Sequence, residues 1–407
     1  MDWKDKKVAI LGWGVDTQDV EPWLRKQGAK ITVLDEKPFG TAQGKPFGDL
    51  TKYDILVRSP GVYRYRPEFE GREVTSKTKI FFDVCPGKII GVTGTKGKGT
   101  TATLIYEILK AAGKKVFFGG NIGKGIFEHL DEMDKDSLVV LELSSFQLID
   151  LHKSPHVAVM LMMTSEHQDW HKSPDEYVEA KSKITQFQMP NDFVVYNQDY
   201  PNSVKIGMQG KGQKIAVSGN DWKGEMRLRG GHNRENVAAA AAVAKIFGIQ
   251  YSVFGEVIKN FKGLEHRLEE AATVDGVTYF DDSFSTTPET TIAAIKAFTE
   301  PLILIAGGSE KGSDFTELGK VISEAKNIKA VILIGLMAER IKEKISNEEI
   351  KILRGAKNMA EILEQVKSVA ESGDVVVLSP AAASFDMFAN YKDRGDQFKE
   401  AVRKLGA

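Results

Sequence analysis

Short runs of valine, isoleucine and leucine punctuate this chain, with turn residues after them. Val8-Ala9-Ile10-Leu11 ends at Gly12-Trp13-Gly14, and Ile31-Thr32-Val33-Leu34 ends at Asp35. Tyr53-Asp54-Ile55-Leu56-Val57 is followed by Ser59-Pro60-Gly61. Helical text lies between the runs, as from Val20 to Gln27 before Gly28. Runs so short and apolar read as strands buried on both faces. Their alternation with helices demands parallel sheets with helical crossovers. In such sheets, ligands bind at the carboxyl ends of the strands.

The pattern persists to the end. Further runs are Lys88-Ile89-Ile90-Gly91-Val92, Leu138 to Leu141, Val157 to Leu161, Phe193 to Asn197, Val277 to Phe280, Leu302 to Ile305, Ala330 to Ile334 and Val375 to Leu378. At roughly 100–200 residues per domain, 407 residues give two to four domains. The expected class is α/β with three domains. Residues 1–86 form an N-terminal Rossmann-like unit, 87–263 a central P-loop ATPase-type parallel sheet, and 264–407 a C-terminal Rossmann-like unit, with joints near Pro86 and Gly263. The formal net charge of -1 argues against a nucleic-acid binder. The one cysteine, Cys85, excludes an internal disulfide and fits a reducing cytoplasm. No apolar run approaches the roughly 18–20 residues of a membrane span, and Met1 to Lys7 carries no signal-peptide pattern.

The strongest local signal is Gly91-Val92-Thr93-Gly94-Thr95-Lys96-Gly97-Lys98-Gly99-Thr100-Thr101. A strand runs into glycines, a lysine and hydroxyls, and a helix pattern follows. Glycines let backbone N–H groups curl around phosphate oxygens, and the helix N-terminus adds positive dipole. Lys98 would reach the β- and γ-phosphates, and a hydroxyl would help with Mg2+. Gly94, Thr95, Gly97, Gly99 and Thr100 complete the expected phosphate contacts. Val92 and Gly99 depart from the strict P-loop pattern, so Thr100 or Thr101 supplies the hydroxyl.

With this loop the sequence resembles the Mur ligase family, ATP-dependent ligases that join an amino acid to a carboxylate. The family's loop usually has Asn where Lys96 stands. Other blocks follow in family order: Gly120-Asn121-Ile122-Gly123, Leu141-Glu142-Leu143-Ser144-Ser145-Phe146-Gln147-Leu148, Glu166-His167-Gln168-Asp169, Gly231-His232-Asn233-Arg234-Glu235-Asn236 and His266-Arg267-Leu268-Glu269. Within the family the chain looks most like the members that add D-glutamate to UDP-N-acetylmuramoyl-L-alanine. The blocks Gly307-Gly308-Ser309-Glu310-Lys311 and Leu378 to Asp386, with Tyr391 and Arg394-Gly395-Asp396, carry that likeness.

The resemblance implies a cytoplasmic, monomeric ligase of peptidoglycan-precursor synthesis that forms ADP and an acyl phosphate. Its partners would be ATP, UDP-N-acetylmuramoyl-L-alanine and D-glutamate, with two Mg2+ ions. Lys98, Glu142, His167 and Lys181 would be catalytic. Thr100, Glu142, His167 and Lys181 would bind metal, Lys181 as an N-carbamate. Asn236, His266, Arg267 and Asp282 would join the loop in binding ATP. Gly14, Val15, Asp35, Gly61, Asn121, Ser144 and Gln147 would contact the UDP substrate. Thr286, Lys311, Ser384, the Phe385 backbone and Tyr391 would hold the amino acid. A cation with N–H and hydroxyl donors suits a dianion.

Two positions break the pattern. Asp16 and Thr17 stand where the family usually has a hydroxyl and a small residue, and an aspartate opposes a pyrophosphate. Phe284 stands where the D-glutamate enzymes typically have lysine. Either another cation compensates, Lys311 first, or the amino acid differs. The alternatives are a family ligase with another amino acid or acceptor, or an inactive nucleotide-binding homologue. An NAD site is not expected, because the third glycine of that fingerprint is missing.

Overall fold

The computed structural model describes residues 2–35, 47–121, 125–163, 170–310 and 312–406, with Val15 and Asp16 described in backbone only. Strands β1 (Lys7–Leu11), β2 (Lys30–Leu34), β3 (Ile55–Arg58) and β4 (Val74–Ser76) form a parallel sheet in the order β2-β1-β3-β4. Strands β5 (Lys88–Thr93), β6 (Val116–Gly120), β7 (Leu138–Glu142), β8 (Val157–Met160), β9 (Phe193–Asn197) and β10 (Gln213–Val217) form a second parallel sheet, ordered β10-β9-β8-β5-β7-β6. Strands β11 (Glu269–Val274), β12 (Val277–Asp281), β13 (Leu302–Gly307), β14 (Ile328–Ile334), β15 (Lys351–Arg354) and β16 (Val375–Leu378) form the third, ordered β11-β12-β16-β13-β14-β15. Only β11 is antiparallel to its neighbour among these strands. The α/β class with parallel sheets is as expected.

The chain divides into two compact units. The first holds residues 1–225 and 232–259, and the second holds 226–231 and 260–407. The first unit contains two sheets because they share one core. Val8, Ile10 and Val57 of the first sheet pack in the same cluster as Val139, Leu141 and Met160 of the second. Asp19 accepts the N–H groups of Ile126 and Phe127, and the ring of Trp23 meets that of Phe127. In the second unit, alternate residues of each strand enter opposite cores. Leu302, Leu304 and Val377 face one side, while Ile303, Ile305 and Val376 face the other. Among the described residues no helix is long and apolar enough to cross a membrane.

Candidate active site

Each parallel strand delivers its last residues to one edge of its sheet, and the polar residues singled out above collect there. β5 ends at Thr93, whose hydroxyl donates to the Leu143 carbonyl at 2.7 Å. The loop then turns through Gly97, at φ +84°, which caps the helix Lys98–Ala111. Only glycine takes that conformation cheaply. A Cβ there would also lie 2.2 Å from the Asn236 side-chain oxygen.

Lys98 opens the helix and folds back over the loop. Its Nζ donates to the carbonyls of Gly94 at 3.1 Å and Thr95 at 2.9 Å. Lys181, from the helix Pro174–Gln186, is buried and donates to Thr93 Oγ1 at 3.2 Å and the Gly94 carbonyl at 3.0 Å. Ser173 caps that helix and Pro174 opens it, as the sequence suggests. Thr101, the other hydroxyl considered beside Thr100, donates to Asn236 Oδ1 at 3.2 Å.

Glu142 ends β7, level with Val92 of β5 and Gly120 of β6. Its buried carboxylate accepts from Asn121 Nδ2 at 3.0 Å. Ser144 and Gln147, expected to touch the sugar-peptide substrate, are engaged with each other. Gln147 N donates to Ser144 Oγ, and Gln147 Oε1 accepts from Ser144 N.

In the first sheet, Gly14, Asp35 and Gly61 follow the adjacent strands β1, β2 and β3. Asp35 accepts the Trp13 N–H at 3.2 Å. Thr17 is fully buried, and its hydroxyl donates to the Gly12 carbonyl and accepts from Gly14 N. The unexpected threonine therefore builds the turn. The Val15 side chain and the Asp16 departure fall outside the described side chains.

The second unit gathers the loops after β12, β16 and β13. Asp282 accepts from Leu268 N at 3.1 Å and Ser379 Oγ at 2.7 Å, and burial pushes its carboxyl up to about 7. His266 pairs with Asp281 at 2.7 Å, and this hydrogen bond raises the imidazole's pKa. The Arg267 guanidinium lies 3.8 Å from the Phe284 ring centre, and Tyr391 meets that ring edge-on at 5.0 Å. Ser384 is buried. The Phe385 N–H, expected to hold a substrate carboxylate, instead donates to Ser309 Oγ at 3.2 Å. Thr286 follows Phe284 in the same turn, its N–H donating to the Phe284 carbonyl.

Arg394 has no role assigned from sequence, yet it organises these loops. It is fully buried and donates to Ser283 Oγ and the Ser283 carbonyl, both at 2.9 Å, and to the carbonyls of Ala382 and Ala383. Desolvation lowers its pKa to about 10. The only textual signal is the block Arg394-Gly395-Asp396 itself.

His167 and Lys311 lie outside the described residues. Glu142 and Thr100 are hard oxygen donors beside the phosphate loop and fit magnesium. Lys181, as the hydrogen-bond donor seen here, cannot ligate a metal. It fits the expected ligand set only after conversion to an anion. His266, Glu269 and Asp281 also cluster, but His266 bonds to Asp281, and Lys399 pairs with Glu269 at 3.1 Å.

The Mur ligase middle domain matches residues 92–221, and the Mur ligase glutamate ligase domain matches residues 266–382. The UDP-N-acetylmuramoylalanine–D-glutamate ligase of Symbiobacterium thermophilum is 35% identical over 98% of this chain and 98% of its own. The chain belongs to the Mur ligase family. The protein of the same name from Acetivibrio thermocellus is 37% identical to this Mur ligase, over 99% and 97% of the two chains. The fold of this Mur ligase also matches the crystal structure of the Thermotoga maritima MurF ligase in complex with ADP. That match has a TM-score of 0.63 at 18% identity, covering 98% of this chain and 96% of the other.

Proposed function

We propose that this chain is an ADP-forming ligase that adds D-glutamate to UDP-N-acetylmuramoyl-L-alanine in the cytoplasm, as a monomer, during peptidoglycan-precursor synthesis. The observation that carries this reading is the match across 98% of both chains to a protein named for that reaction. The proposed domains are 1–86 for the UDP substrate, 87–263 for ATP and 264–407 for the amino acid.

The chemistry divides into two steps. The substrate carboxylate attacks the γ-phosphorus of ATP, ADP leaves, and an acyl phosphate forms. The amine then attacks the acyl carbon and phosphate leaves. Phosphoryl transfer depends on positioning and charge neutralisation. Lys98 and the helix N-terminus behind Gly97 meet the phosphate charge. Glu142 and Thr100 would hold Mg2+, which would supply further charge neutralisation. We assign His167 and carbamylated Lys181 to the second metal ion. Asn236, His266, Arg267 and Asp282 are assigned to ATP, and Thr286, Lys311, Ser384 and Tyr391 to the amino acid.

One observation favours a second reading. Phe284 offers no hydrogen-bond donor for a substrate carboxylate, so the amino acid could differ. Phosphate release with ATP and UDP-N-acetylmuramoyl-L-alanine across a panel of amino acids decides it. Turnover with D-glutamate supports the first reading. Turnover only with another amino acid rejects it.

A further inference from the structure

His171 stands just before the cap of the helix Pro174–Gln186, and its side chain is fully buried. Three rings enclose the imidazole. Phe146 stacks on it with centres 5.7 Å apart, and Trp170 and Tyr177 meet it edge-on at 4.9 and 5.4 Å. A polar ring in such a box is costly unless its nitrogens find partners. Nε2 lies 2.9 Å from Ser145 Oγ, and Nδ1 lies 3.3 Å from a Glu176 carboxylate oxygen. In the neutral ring the carboxylate favours the proton on Nδ1, so Nε2 accepts from the Ser145 hydroxyl.

These two partners lead to different sheets. Ser145 is buried and opens the short helix Ser145–Leu148, just beyond Glu142 at the end of β7. Ser144 and Gln147, on either side of it, are residues expected to meet the UDP substrate. Glu176 accepts from the Tyr65 hydroxyl, and the Lys172 N–H at 2.8 Å fixes its carboxylate. Tyr65 belongs to the segment after β3 that carries Gly61. Tyr63 of that segment also meets Trp170 of the aromatic box edge-on at 5.8 Å. A hydroxyl from one sheet, a carboxylate, an imidazole and a hydroxyl from the other sheet therefore form one line.

We propose that His171 and Glu176 are positioning residues that hold two loops in register, the Gly61 segment of the first sheet and the Ser144–Gln147 turn of the second. Resting on the function proposed above, these loops are two walls of the UDP-substrate site. Hydrogen bonds are short and directional, so a shift of either loop by about an ångström breaks a link. A broken link leaves a buried polar group unsatisfied, which opposes the shift.

The test uses the full chain and two readouts. One is amide hydrogen exchange of residues 143–149, which needs no ligand. The other is affinity for UDP-N-acetylmuramoyl-L-alanine, by calorimetry without ATP or an amino acid. His171→Phe keeps a ring in the box and removes its nitrogens. It should speed exchange of 143–149 and weaken the UDP substrate, each about tenfold, as loss of a buried hydrogen-bond partner implies. Exchange in β5 and β8, and ATP affinity, should stay as in wild type. His171→Gln, which keeps a hydrogen-bonding group at the reach of Nε2, should restore most of both effects. Adding Ser145→Ala to His171→Phe should change little more, because the bond is already lost. Tyr65→Phe should weaken the UDP substrate several-fold. Wild-type exchange of 143–149 in His171→Phe overturns the proposal, and so does equal acceleration across β5 and β8. If His171→Phe fails to fold, wild-type exchange of 143–149 in Ser145→Ala overturns it equally. A wild-type chain that does not bind the UDP substrate rejects the substrate reading alone, and the exchange pattern still decides the positioning role.

Discussion

Lys98 and Lys181, on two different helices, donate to the same carbonyl oxygen, that of Gly94. Two ammonium groups therefore converge on one point of the phosphate loop. Like charges so close repel unless an anion joins them or one of them changes sign. A bound triphosphate would do the first, and carbamylation of Lys181 would do the second.

Replacing Lys98 with Ala should lower kcat/KM for ATP about 10²–10³-fold, the usual scale for losing one preorganised charge at a transition state. Lys181→Ala should be comparably inactive, and short carboxylic acids should restore part of its turnover while leaving Lys98→Ala unrescued. Steady-state phosphate release measures both. Full activity in Lys181→Ala removes the assigned role.

Gly97→Ala should cost about 1–2 kcal/mol for the left-handed backbone alone, with the approach to Asn236 adding to it. Nucleotide affinity should fall with stability. In an Asn236→Ala background the same change should cost less, because only the backbone penalty remains. Chemical denaturation and ATP titration of the four proteins check this. Strict additivity contradicts the contact.

The second unit should be more stable in mild acid. Folding raises the Asp282 carboxyl from 3.8 to about 7 and also raises His266 above 6.5. Over that range the folded chain holds protons that the unfolded chain has released. Stability from both groups is present below their unfolded values and is lost as pH rises through the folded ones. Asp282→Asn cannot ionise, so its melting midpoint relative to wild type should rise between about pH 4 and pH 7. A constant difference across that range refutes the shift.

Phe284 should matter through Arg267. A cation over an exposed ring contributes about 0.5–1 kcal/mol, so Phe284→Leu should raise KM for ATP only about two- to fivefold. Phe284→Lys replaces that attraction with repulsion and should do worse with ATP. Kinetics with each substrate varied separately distinguish this from a direct effect on the amino acid.

Much of this was legible from local text. The strand, glycine and lysine spacing around residues 91–101 marks the phosphate loop because its chemistry lies within a few consecutive residues. Glu142 could be placed at a strand end for the same reason. The strands absent from the apolar runs, β4, β6, β10, β11 and β15, all sit at sheet edges. Edge strands bury less, so their residues need not be apolar. Arg394 was harder to read. A buried arginine satisfied partly by the hydroxyl and carbonyl of a serine 111 residues away is spelled like any surface arginine. Nor does periodicity say what covers a strand, so the shared core of the first two sheets was invisible.

Arg58 shows what that shared core entails. Its side chain is 1% exposed, donates to the Phe146 carbonyl at 3.1 Å and pairs with Asp150, and Arg64 also pairs with Asp150. Both cations lie before Pro86, and the carboxylate lies after it. A fragment starting at residue 87 would encode the complete six-stranded sheet yet lose both counter-charges of Asp150 and uncover the apolar surface that the first sheet packs on. The first two sheets are thus a single packing unit. A foreign first segment joined near Pro86 should pack stably only where it brings cations to Asp150 and an apolar face to the shared core.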